Sequence, residues 1–233
     1  MHTEHQVLTA AAASLTTTLN VQTVAADAIT LSFQTMPGNQ PNTYGNFAGI
    51  WQNTDSIPWN TEPLKTIAIP NNTPSGSLVF NGLQVNNNSY IVGFSVGTTL
   101  TVTGNIQKYG NICSTAFIPA IGGGANTLLT PSITNILIGS TSVVFDFSLP
   151  DGITPQTNGA WAALWRGENP AYYTTAPLSS INISPDQSSG TMGFSNVSIG
   201  RGLSYTIAIF MSGYIAAGGS TQRALACSAS FTN

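Results

Sequence analysis

The chain has 233 residues, enough for two domains of ordinary size that each bury a core without a metal or a disulfide framework. Only 6% are charged, far below the usual quarter or so, while 42% are hydrophobic, so the chain is not disordered and its surface is covered by Ser, Thr, Asn, Gln and Gly. Five Lys and Arg spread singly under a net charge of −3 give no basic patch, so neither nucleic acid nor an anionic membrane is expected as a partner, and apolar runs such as Tyr205 to Met211 are strand-sized, too short to insert into a membrane as a helix.

At the N-terminus, Met1-His2-Thr3-Glu4-His5 lacks a cationic region, and Val7 to Leu15 is too short and too Thr-rich for a signal peptide, so no classical export signal is read. Residues 1–14 are read as an extended arm ahead of the first domain. Gln6, Val7, Leu8, Leu15 and Leu19 are the residues expected to lie along a neighbouring subunit's sheet edge. Short runs of β-branched and aromatic residues then recur between Gly, Pro and Asn clusters, which predicts an all-β chain. The runs predict strands at Leu15 to Val21, Ala28 to Gln34, Phe47 to Gln52, Lys65 to Ile69, Gly76 to Leu83, Tyr90 to Val96 and Asn111 to Ile118. After a linker containing Gly122-Gly123-Gly124, a second set is predicted at Thr130 to Ile136, Ser142 to Ser148, Trp161 to Trp165, Ser179 to Ile183, Gly190 to Val197, Tyr205 to Met211 and Ala224 to Phe231.

The second set repeats the first. An offset of 114 lays Phe33 on Phe147, Trp51 on Trp165, Gly76 on Gly190 and Cys113 on Cys227, with one residue inserted before Tyr205 and the register restored at the cysteines. Such a period means tandem domains rather than a solenoid of roughly 20- to 50-residue repeats. The expected division is 1–119, a linker at 120–126, and 127–233. The ionisable residues are not repeated: Asp55 faces Asn169, Glu62 faces Ala176 and Glu168 faces Thr54, so the repeated part reads as a scaffold without a charged active site. Cys113 and Cys227 alternate with small or aromatic residues, as buried thiols do, and a bridge between domains or chains is the alternative.

An early strand reading Ile29, Leu31, Phe33, an aromatic third strand from Phe47 to Trp51, and the stretches Leu83 to Tyr90 and Val197 to Tyr205 share a pattern. In this pattern the chain resembles the immunoglobulin-like superfamily, most closely fibronectin type III domains, and the last two stretches resemble that family's tyrosine corner. The resemblance implies two seven-stranded β-sandwiches. No Arg-Gly-Asp motif is present, Arg166-Gly167-Glu168 being only near it, and no function is carried over.

Catalysis finds few materials. The histidines are His2 and His5 in the tail, so neither domain can build a Ser–His or Cys–His pair. The carboxylate pairs Asp55 with Glu62 and Glu168 with Asp186 do not correspond between copies, as a duplicated glycosidase site would. No metal site is expected beyond adventitious binding at the tail, and no cofactor is implied. The protein is therefore expected not to be an enzyme.

Two loops following the third strand of each copy carry the candidate ligand-binding residues: Asp55, Trp59 and Asn60 in one, Arg166, Glu168, Tyr172 and Tyr173 in the other. An aromatic ring beside Asn, Thr and carboxylates suits a neutral glycan, and the competing reading is that the rings cap each sandwich or pack at the domain junction. The leading expectation is a structural or adhesive protein that self-assembles or joins an extracellular assembly, such as a virion component or a surface filament subunit. Its weakly charged surface does not resist association, and its sandwich edges offer unpaired backbone. A carbohydrate-binding module is the alternative, and a secreted toxin that oligomerises is weaker, since no long amphipathic hairpin is present.

Overall fold

In a computed structural model, residues 8–9 and 13–233 are described, and they form strands and turns without a helix. The first half runs β1 (Leu8–Thr9), β2 (Ala13–Thr16), β3 (Thr18–Val24), β4 (Ala28–Gln34), β5 (Phe47–Gln52), β6 (Lys65–Ala68), β7 (Ser75–Asn81), β8 (Tyr90–Ser95) and β9 (Ile112–Ile118). The second runs β10 (Thr127–Leu129), β11 (Ser132–Ile138), β12 (Ser142–Ser148), β13 (Trp161–Arg166), β14 (Ser179–Asn182), β15 (Ser189–Ser195), β16 (Ser204–Phe210) and β17 (Leu225–Thr232). Alternation explains the outer strands: in β4, Ile29, Leu31 and Phe33 are buried while their neighbours face outward, and Val143, Phe145 and Phe147 do the same in β12. By contrast β5, β8, β13 and β16 are buried on both faces almost throughout, because their sheets are covered on each side.

These strands make four antiparallel sheets, ordered β3-β4-β7, β10-β9-β8-β5-β6, β1-β11-β12-β15 and β14-β13-β16-β17-β2. The registers recur along the chain. Phe33 opposes Gly76 as Phe147 opposes Gly190, in each case a ring lying over a residue with no side chain. Trp51 opposes Ile91 whereas Trp165 opposes Thr206, which is the single inserted residue expected from the sequence.

The cysteine alignment needs correction. A bulge leaves Cys113 unpaired between Phe94↔Ser114 and Ser95↔Ile112, and in the second half the unpaired residue is Ala226, between Ile209↔Cys227 and Phe210↔Leu225. Cys227 therefore stands where Ser114 does, one residue away from the place of Cys113. Both thiols are free and buried, with no bridge between them.

The first strand of each half is also not the single element expected. It breaks at Thr17 and at Pro131, and the piece before the break joins the other half: β2 pairs with β17 (Thr16↔Cys227, Ala13↔Ser230), and β10 pairs with β9 (Leu129↔Thr115, Thr127↔Phe117). Pro131 has no N–H to continue a ladder, so the chain leaves one sheet there for the other. Hydrogen bonds pin the crossing: Thr16 Oγ1 donates to the Pro131 carbonyl at 2.6 Å, Thr17 N to Ala226 O at 2.9 Å, and Ser114 Oγ to the Thr17 carbonyl. One contiguous apolar core runs from Leu19 to Phe231 through both halves.

The exchange bears on the expected arm. Leu8 and Thr9 pair with Ile138 and Leu137 of this same chain, Leu15 opposes Ser228, and Leu19 is buried in the core, so these residues are engaged intramolecularly. Gln6 and Val7 lie outside the described residues.

Candidate functional site at the junction of the two halves

The two aromatic loops turn inward. Trp59, 8% exposed, donates its indole N–H to the Asp151 carbonyl at 3.1 Å and lies against Gly152, whose φ of +74° sets a tight turn. Tyr173 lies in the same way over Gly38, at φ +80°, and stacks on Tyr44 with ring centroids 5.3 Å apart. Tyr172, 2% exposed, meets Trp165 edge-on and shares a hydrogen bond with Ser228 Oγ. Each loop thus docks on the turn before the third strand of the opposite half. The rings fill the junction, and they are not presented as open platforms for a sugar.

A buried amide locks this junction. Gln107 accepts through Oε1 from Thr154 N–H and Asn158 Nδ2, each at 2.9 Å, and donates from Nε2 to the Gly152 carbonyl at 2.8 Å. Its backbone N–H reaches Asn158 Oδ1 at 2.9 Å. Every polar atom of that side chain is used across the halves, so the contact is directional as well as apolar.

The remaining candidates are dispersed. Asp55 and Arg166 lie exposed at the rims of their loops, Asn60 Oδ1 accepts from Lys108 N–H at 2.7 Å, and Glu168 accepts from Ser204 Oγ at 3.2 Å. Asp186 caps the turn at Thr157 through its N–H and hydroxyl. Thr191 and then Asn135 hold the Asp146 carboxyl below its ordinary range. No group of three or more His, Cys, Asp or Glu able to hold a metal occurs among the described residues. Burial pushes the Cys113 thiol up to about 12 and Cys227 up as well, opposite to what a nucleophilic thiolate needs.

What the sequence reading missed is a cleft of about 420 Å³ where β5 begins and β6 ends. Glu62 sits on its rim in an ion pair with Lys108, and its second carboxylate oxygen accepts from the Tyr109 hydroxyl. The Lys108 bond and then the Tyr109 bond hold the Glu62 carboxyl below its ordinary value, while burial and this carboxylate raise the Tyr109 hydroxyl. Phe47, Thr98 and Thr99 complete the walls. A second cleft of about 330 Å³ adjoins it through Asn42, Gly45 and Thr98 and reaches Arg223, whose guanidinium lies 5.9 Å from the Tyr44 ring centre. Glu62 and Lys108 stand 46 residues apart, and no local pattern announces their meeting.

No protein-family model matches the sequence, and no curated protein matches it.

Proposed function

We propose that each half is an immunoglobulin-like sandwich of the fibronectin type III kind, that the halves arose by internal duplication, and that the chain is a non-enzymatic structural subunit of an extracellular assembly, such as a virion component or a surface filament. The sheet orders β3-β4-β7 and β6-β5-β8-β9, and their counterparts in the second half, support the sandwich reading. So do the corner tyrosines: Tyr90 OH accepts from Gln84 N–H at 3.0 Å and Tyr205 OH from Gly200 N–H at 2.9 Å.

The observation that carries the assembly reading is the reciprocal exchange of β2 and β10. Each five-stranded sheet is completed by backbone pairing with a strand from outside its own half, a mode of joining that needs no charged side chains and suits a surface nearly without them. Among the described residues, each five-stranded sheet ends on its exchanged strand, β10 or β2, at one side and on β6 or β14 at the other, and the exposed side chains of Leu64 and Leu178 stand at matching positions beside β6 and β14. The partners are other copies of the chain or other subunits, at a virion surface or outside the cell.

Light scattering on a dilution series through micromolar concentrations, followed by electron microscopy, tests this. Large assemblies that persist on dilution are expected; a monomer of 24.2 kDa at every concentration would overturn the reading.

A further inference from the structure

The cleft at Glu62 has a chemistry that the assembly reading does not use. Glu62 and Lys108 cancel each other's charge at its rim, so the site favours neither an anion nor a cation. Both groups keep unused capacity. A carboxylate has about four acceptor positions, of which Lys108 and Tyr109 take two, and an ammonium has three donors, of which Glu62 takes one. The Glu62 side chain is 70% exposed, so the spare positions are open to a ligand. Adjacent acceptors and donors of this kind match a vicinal diol, one hydroxyl donating to Glu62 while its neighbour accepts from Lys108.

The walls fit the same ligand. Thr98 and Thr99 are exposed at the cleft, where their hydroxyls can either donate or accept, and the largely buried Phe47 adds apolar lining rather than a stacking platform, held edge-on against Tyr109 at 6.2 Å between ring centres. The volume suits one or two sugar rings, near the lower end of the roughly 300 to 1,000 Å³ of small-molecule sites. An apolar wall with a few convergent polar groups is how proteins hold polyols.

We propose that this cleft, lined by Phe47, Glu62, Thr98, Thr99, Lys108 and Tyr109, is a binding site for a neutral saccharide. It lies in the first half alone, since Ala176 replaces Glu62 in the repeat, and it differs from the aromatic loops, whose rings are consumed by the junction.

Saturation-transfer NMR on the full chain with glucose, galactose, mannose and N-acetylglucosamine at millimolar concentration tests the assignment. Transfer to at least one of them is expected. Loss of a hydrogen bond to a charged group in Glu62→Gln should weaken that sugar roughly tenfold or more, and Thr98→Val should also weaken it. Glucuronate should bind no more tightly than glucose. Absence of transfer to all four sugars, affinity unchanged in both variants, or a preference for glucuronate would each overturn the proposal. The wild-type panel stands even if a variant fails to fold, and its result is independent of whether the protein assembles.

Discussion

The indole N–H of Trp59 donates to the carbonyl of Asp151 at 3.1 Å, and this bond spans 92 residues of sequence to fasten one half of the chain to the other. From the opposite side the Tyr173 ring packs over Gly38, a contact without a hydrogen bond. With Gln107 bonded across the junction and buried clusters that each draw on both halves, the chain is expected to unfold as one unit. Urea transitions followed by tryptophan fluorescence and by circular dichroism should coincide, and Trp59→Ala should lower stability by about 3 kcal/mol or more. Two separated transitions in the wild type would mean that the junction does not couple the halves.

Gly76 and Gly190 occupy matching places under Phe33 and Phe147, but with different clearance. A methyl group at Gly76 would come within 2.9 Å of the Phe33 ring, which is itself stacked on Phe94, whereas at Gly190 the nearest Phe147 atom is 3.4 Å away. Gly76→Ala should therefore cost about 1 to 3 kcal/mol by overpacking, and Gly190→Ala less. Equal unfolding midpoints for the two variants would contradict this packing.

Both thiols are buried and held protonated, Cys113 up to about 12 by loss of solvent. The native protein at pH 8 should react with an aromatic disulfide reagent only as fast as it unfolds, and two thiols per chain should appear in strong denaturant. Rapid reaction of either thiol in the native protein would place it at the surface.

Acid should weaken the Glu62–Lys108 contact. The folded carboxyl lies below its ordinary value of 4.5, so the stabilisation is complete above that value and disappears as pH falls through the lower, folded one. The pair is at the surface, so the effect is small and falls with added salt. The measurement is the urea midpoint at pH 7 and pH 3: Glu62→Gln should lose less stability between them than the wild type. An identical loss would show that this pair does not contribute to the acid dependence.

Most strands were legible in the sequence, since a period-two pattern between Gly, Pro and Asn turns is local information: β4, β5, β12 and β13 lie where alternation and composition put them, and the recurrence at 114 residues is visible as identity at Phe33, Trp51 and Gly76. Tertiary structure decided the rest. Nothing in residues 13–16 or 127–129 says which sheet they join, because an edge strand pairs through backbone groups that every sequence carries, and the choice falls to whichever edge the break at Thr17 or Pro131 brings near. The bulge that separates Cys113 from the place of Cys227 leaves a local alternation that reads the same on both sides. The aromatic of each third-strand loop was legible as a residue but not as a direction, because its burial depends on Gly152 or Gly38 of the other half. Glu62, Lys108 and Tyr109 become a site only when the sheet carrying β5, β8 and β9 brings together segments far apart in the chain.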